Sequence, residues 1–212
     1  MAGTVRVSRA RKAPVGVDVR VALLDAAGEL LSREGPGALT TRRLAGAAGT
    51  TTQSIYTLFG GKEGIVRAMF REGYARLEAR IRRVRDTDKP MVDLREQGRA
   101  YRAAALASPH YYDVMFGHPV PEFTPNDEDV AASTTTLLLL ERGVQRCIDA
   151  GELVPGADAN HVAQFLWAAA HGLVSLELVG FLDLGPRRGV SPIYDEFLAA
   201  SLHKYVRHSD SF

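Results

Sequence analysis

A single cysteine, Cys147, and a single tryptophan, Trp167, stand in a chain of 212 residues. One cysteine excludes an intrachain disulfide and any cysteine-based zinc cluster. Cys147 lies beside Ile148 in a helical run, where a free thiol behaves as a small hydrophobe. No apolar stretch approaches the roughly 20 residues that a membrane-spanning helix needs, and Leu137 to Leu140 is far too short. The basic residues Arg6, Arg9, Arg11 and Lys12 are not followed by the apolar run of a signal peptide. A cytoplasmic protein with no membrane partner is expected. Alternating strand patterns with hairpin turns are missing, and so is any internal repeat. His118, His171, Glu122 and the trio Asp127-Glu128-Asp129 form no catalytic or metal-ligand spacing, and no Gly-rich phosphate loop follows a strand. The acidic trio suits the first turn of a helix, where the backbone dipole favours negative charge. The chain is therefore not expected to be an enzyme or to need a cofactor or metal.

With 46% hydrophobic and 24% charged residues, composition is that of a folded globular chain rather than a disordered or fibrous one. The net charge of +1 conceals an asymmetry. Residues 1–85 carry 16 Lys and Arg against 7 Asp and Glu, whereas the remainder carries 10 against 18. A basic half joined to an acidic half reads as a polyanion-binding module attached to something else, or as a merely solvated basic surface.

Every periodic segment is helical, so the expected fold class is all-α. Residues 1–17 read as a flexible basic arm, either reaching DNA or lying free of it. From Val19 the apolar residues Leu23, Ala26, Ala27, Leu30 and Leu31 recur at helical spacing, up to the breaker Glu34-Gly35-Pro36-Gly37. A short helix is expected from Thr41 to Ala48, with Thr40 or Thr41 as its cap. Another should run from about Thr51 to Phe59, and a long one from Lys62 to about Arg85. Further helices are expected near 92–107, 109–116, 127–150, 158–182 and 191–206.

Between Thr41 and Gly60 the pattern fits a helix-turn-helix. Ala45 is small enough to let a second helix approach, Gly49 tolerates a left-handed turn, and Ile55 plugs the shared core. Leu44, Ala48, Leu58 and Phe59 complete the expected apolar face. Thr50 stands where an apolar residue usually follows the turn glycine. In such a unit the second helix enters the major groove with its N-terminal residues at base edges. That places Thr51, Thr52, Gln53 and Ser54 there, and Gln53 can pair with adenine N6 and N7. A solvated, threonine-capped helix start is the plainer alternative.

The stretch from Leu23 to Ala68 resembles the DNA-binding domain of TetR-family regulators. The Thr-rich helix start, Ser54-Ile55-Tyr56 with Phe59, and Lys62-Glu63 carry the likeness. The resemblance implies that Tyr56 and Thr57 touch phosphates and that Thr41 and Lys62 donate to them. The usual Ser or Asn cap before the lysine is replaced by Gly61. Arg42 and Arg43 would add backbone contacts or lie in solvent. The segment Phe165 to Leu178 is similar to the Trp-His-Gly segment of one TetR C-terminal subgroup, and the run Tyr111 to Phe116 is compatible with it.

The implied organisation is a helix-turn-helix domain over 18–64 and a helical effector-binding and dimerisation domain over 65–212. The helices over 158–182 and 191–206 would form a two-fold interface, with Val162, Phe165, Leu166, Ala169, Leu173 and Leu176 in one apolar stripe; burial within one subunit is the alternative. Tyr101, Tyr112, Met115, Phe116, Trp167 and His171 read either as core or as the lining of a site for a small hydrophobic or aromatic effector. The expected partners are double-stranded operator DNA, that effector and a second copy of the chain. The expected function is transcriptional regulation, by repression in the family's commoner pattern, with activation as the other outcome.

Overall fold

A computed structural model describes residues 17–207. The arm over 1–17 falls almost wholly outside the described residues. Among those described, α1 (Val17–Glu34), α2 (Thr41–Ala47), α3 (Thr52–Phe59) and α4 (Lys62–Ile81) are followed by α5 (Pro90–Ala107) and α6 (Pro109–Phe116). Then come α7 (Asp127–Asp149), α8 (Ala159–Leu178) and α9 (Pro192–Leu202), with short 3-10 turns at Pro36–Ala38 and His203–Tyr205. Among the described residues the single extended pairing is an isolated antiparallel bridge between Leu153 and Val206.

Local chemistry explains most of the helix ends. Thr40 and Thr51 cap α2 and α3, their hydroxyl oxygens accepting from the backbone N–H of Arg43 and Ser54. Proline opens α5, α6 and α9, where its missing N–H costs nothing. Asn126 and Asp129 form a reciprocal capping box at the head of α7.

Three expected helix ends lie elsewhere. The long helix stops at Ile81 rather than Arg85. Beyond it the chain is held by other elements: Asp93 accepts from the Thr87 N–H at 2.7 Å, and Arg146 reaches the Thr87 carbonyl at 2.5 Å. The 158–182 helix ends at Leu178, because Gly180 adopts φ +80° and the Phe181 N–H returns to the Leu176 carbonyl at 2.9 Å. That is a glycine-terminated reversal, which satisfies carbonyls the helix would otherwise leave open. The last helix covers Pro192–Leu202, after which the chain tightens into a 3-10 turn and Val206 bridges to Leu153.

Burial divides into three connected clusters. The first packs Leu23, Leu44, Ile55, Ile65 and Met69 of α1–α4 together with Tyr111 and Val114 of α6. The second joins the far half of α4 to α5, α6, α8 and α9. A third closes the opposite end around Val144, Cys147, Leu153 and Val162. Burial pushes the Cys147 thiol up to about 12, which leaves it protonated and unreactive at neutral pH. Because α4 contributes to both of the first two clusters, it spans the junction between the N-terminal helices and the rest.

Candidate DNA-contacting and effector sites

The N-terminal unit is built around a tight α2–α3 crossing. Gly49 adopts φ +64°, opening the turn, while Ala45 and Ile55 are buried between the helices. Gly64 sets the next junction, since a Cβ there would stand 1.6 Å from the Phe59 carbonyl oxygen. Leu44 is fully buried, and Ala48 and Phe59 pack against the same cluster. Leu58, expected in that core, is instead exposed, because Ile55 and Phe59 at helical spacing take the inward face. The Arg20 guanidinium lies 4.7 Å from the Phe59 ring centre, covering the end of α3 with a cation.

On the outward face, Thr52, Gln53, Tyr56 and Thr57 are all exposed. Gln53, Tyr56 and Thr57 sit three and four residues apart and so share one side of α3. Thr51 and Ser54 behave differently from Gln53. The Ser54 hydroxyl lies 3.0 Å from both the Thr50 and Thr51 hydroxyls, and its N–H donates to Thr51 Oγ1 at 3.2 Å. Those side chains hold the helix start in shape, and this is also the use to which Thr50 is put. Arg43 turns back to Glu34 at 2.5 Å, holding that carboxyl below its usual range, whereas Arg42 is exposed with no partner among the described residues. Thr41 and Lys62 occupy the first positions of α2 and α4, where N–H groups point outward.

A cavity of about 560 Å³ lies in the C-terminal part, walled by α4, α5, α7, α8 and α9. Of the aromatic residues singled out in the sequence, Tyr101, Phe116 and Trp167 line it. Tyr112 and His171 do not; they stand behind Tyr101 as a hydrogen-bonded support. The Tyr101 and Tyr112 hydroxyls are 3.0 Å apart, and the Tyr112 hydroxyl lies 2.7 Å from His171 Nδ1. Burial lowers the His171 pKa, favouring the neutral ring, and Nε2 faces the Ser175 hydroxyl at 3.4 Å. Met115 packs elsewhere, its sulfur 2.6 Å from where a Cβ on Gly73 would stand. Sequence reasoning missed Leu77, Ile81, Gln97, Leu137 and Leu198 as lining. The helical apolar spacing of the four aliphatic residues is the same for a cavity wall as for a solid core, so only packing separates the two.

The expected apolar stripe on α8 divides. Val162 and Leu166 are buried within the subunit, while Phe165 and Leu176 are exposed. Exposed apolar groups also occur at Val179, Ile193 and Phe197, and Phe181 is 85% exposed. Beneath this face Arg102 and Glu177, 4% and 7% exposed, pair at 2.5 Å, and Arg102 also donates to the Pro186 carbonyl at 3.1 Å.

Residues 23–69 match the family described as bacterial regulatory proteins, tetR family, and residues 94–201 match the tetracyclin repressor-like C-terminal domain. The chain belongs to the TetR family. It is 23% identical over 208 residues to an HTH-type transcriptional regulator of Mycobacterium tuberculosis, covering 85% of this chain and 88% of that one. Its fold is similar to that of a Rhodococcus protein of unknown function, with a TM-score of 0.74 and 24% identity over 89% of this chain and 96% of that one. It is also similar to SmeT, the repressor of the Stenotrophomonas maltophilia multidrug efflux pump SmeDEF, with a TM-score of 0.63 and 21% identity over 90% and 93% of the two chains. The chain is thus a TetR-family transcription regulator with a DNA-binding helix-turn-helix, not an enzyme. Among the described residues no helix is long and apolar enough to cross a membrane.

Proposed function

We propose that this TetR-family regulator is a repressor that binds a pseudo-palindromic operator as a homodimer and is released by a small hydrophobic or aromatic effector. The observation that carries this reading is the double role of α4. Its first turns, through Ile65, Val66 and Met69, belong to the core beneath the recognition helix, and its far half, through Tyr74, Leu77 and Ile81, walls the cavity. A 20-residue helix of this kind spans about 30 Å as one rigid rod. A ligand that displaces the cavity end of α4 therefore displaces the DNA-reading end.

Placement supports the following roles within this reading. Gln53 reads a base edge, with Thr52 beside it, and Thr51 and Ser54 shape the helix start that presents them. Thr41, Arg42, Tyr56, Thr57 and Lys62 hold phosphates. Tyr101, Phe116 and Trp167 contact the effector, with Tyr112 and His171 orienting Tyr101. The exposed apolar groups of α8 and α9 would be covered by a second copy, setting two recognition helices about 34 Å apart, as successive major grooves require. The effector must bind the DNA-incompetent arrangement more tightly for release to follow.

The test is selection from a random double-stranded DNA library, with sedimentation of the resulting complex. A two-fold-symmetric motif bound by two chains is expected. A folded protein that enriches no motif, or binds one as a monomer, overturns the reading.

A further inference from the structure

We infer that Arg20 of α1 is a further backbone-holding residue, gripping an operator phosphate on the Tyr56 side of α3; this rests on the placement of Tyr56 and Lys62 at the DNA backbone proposed above. At 3.6 residues per turn, Phe59 lies about 60° round α3 from Tyr56, on the side away from Gln53 and Thr57. The Arg20 guanidinium, 4.7 Å from the Phe59 ring centre, therefore stands beside Tyr56 at the edge of the base-reading face. The head of α4 reaches the same edge. A Cβ on Gly61 would stand 3.7 Å from the Tyr56 ring, and Lys62 follows directly. Arg20, Tyr56 and Lys62 thus come from three helices to one rim of the DNA-binding unit.

The donors of Arg20 are unspent. Arg43, Arg67 and Arg71 each meet a carboxylate. Arg20 is exposed, and its guanidinium has neither an ion pair nor a hydrogen bond among the described residues. Contact with a ring face leaves the N–H edges of a guanidinium open to the oxygens of a phosphate. Phe59 packs against the core beneath α3, so the ring also steadies a long side chain that would otherwise lose more freedom on binding. The neighbouring acid, Glu63, is turned to Arg67 at 2.9 Å, and its charge is balanced there rather than on the rim. A cation beside the last turn of α3 also suits the helix dipole. That role acts within the fold and leaves no mark on the salt dependence of DNA binding, which separates the two.

The test measures binding of the full chain to a labelled duplex carrying the selected operator, and to a scrambled duplex of equal length, from about 50 to 200 mM salt. Wild type is compared with Arg20→Gln, Arg20→Lys and Lys62→Ala. Arg20→Gln should weaken both duplexes by a similar factor and reduce the slope of log affinity against log salt by about 0.9 for each bound chain. Arg20→Lys, which keeps the charge, should keep the slope. Equal slopes for the Gln and Lys variants overturn the inference, whatever their melting temperatures, because the two differ in the charge at that position. If Lys62→Ala still lowers the slope in that case, the rim remains on the DNA backbone and only Arg20 leaves it. If neither Lys62→Ala nor Arg20→Gln changes the slope, the placement of this rim at the phosphates falls as well.

Discussion

The Tyr111 hydroxyl of α6 donates to the Asp25 carboxylate of α1 at 3.1 Å, directly tying the cavity-bearing part of the chain to the first helix of the DNA-binding unit. The same contact is reinforced by Arg76, whose guanidinium lies 4.2 Å from the Tyr111 ring centre and 3.7 Å from Asp25. Next to it Gly28 admits the His110 ring so closely that a Cβ would stand 2.1 Å from it. Phe116, on the same short α6, lines the cavity. Tyr111→Phe keeps the ring over Arg76 and removes only the hydrogen bond. It should cost about 1 kcal/mol of stability. Operator affinity without effector should stay within a few-fold, while the effector concentration needed for release rises. Fluorescence anisotropy of labelled operator checks this, and an unchanged effector response would sink the coupling role of Tyr111.

Base reading and phosphate holding separate by mutation. Gln53→Ala should relax preference at one operator position, losing about 1–3 kcal/mol of discrimination there. Lys62→Ala should weaken all sequences alike and reduce the salt slope by about one. Binding measured across single-base operator variants at several salt concentrations distinguishes them. A Gln53→Ala protein that selects an unchanged motif would remove that residue from the reading surface.

Gly64→Ala tests the α3–α4 junction. The added methyl meets the Phe59 carbonyl and can be accommodated only if α4 shifts, at a cost of about 1–3 kcal/mol. Operator affinity should fall by more than the stability loss alone explains, because the shift re-aims α3. Thermal melting and operator titration on the same sample show whether both changes occur.

The Arg102–Glu177 pair lies deep beneath the exposed face of α8. Truncating either residue strands the other as a buried charge, so Glu177→Ala should cost about 3–5 kcal/mol. Replacing both with methionine should cost clearly less than the sum of the singles. A double-mutant cycle by urea unfolding reads the difference, and strict additivity would mean the pair does not act as a unit.

Stability should fall as the pH drops below neutrality. Burial lowers the pKa of both His110 and His171 from the ordinary 6.5. Above that value both folded and unfolded chains hold neutral rings. Below it the unfolded chain takes up protons first, so folding loses free energy until the lowered folded values are passed. Asp93 and Asp129 belong to a separate, more acid window. Burial opposes their charge, but hydrogen bonds from Thr87 and Arg146, and from Asn126 and Arg71, hold both carboxyls below their usual range. Melting temperatures between about pH 7.5 and 5 should decline in the wild type and less steeply in His171→Gln. Equal slopes would show that His171 does not titrate with folding.

Much of the molecule is legible residue by residue. Thr51, Gly49, Ala45 and Ile55 announce the helix-turn-helix because each meets a local demand of cap, turn, close crossing or plug. Pro90, Pro109 and Pro192 mark helix starts for the same kind of reason. Gly180 is not legible as a stop, since an isolated glycine within an apolar helical run carries no sign of its positive φ. Leu58 reads as inward because it borders the Ile55–Phe59 face, and the early end of α4 depends on Asp93 and Arg146, distant in sequence.

Neighbouring residues are enough to specify the all-α class and the helix-turn-helix, because caps, turns and helical spacing are short-range physics, and the family enters through the likeness of Leu23 to Ala68 to TetR-type DNA-binding domains. Tertiary structure alone decided which apolar residues of α4, α5, α7 and α8 surround a cavity and which fill a core. It alone turned Tyr112 and His171 into supports behind Tyr101, and split the α8 stripe between an inner and an outer face. The periodicity of a helix specifies which side is apolar. It does not specify what that side meets, and that depends on how several helices pack at once.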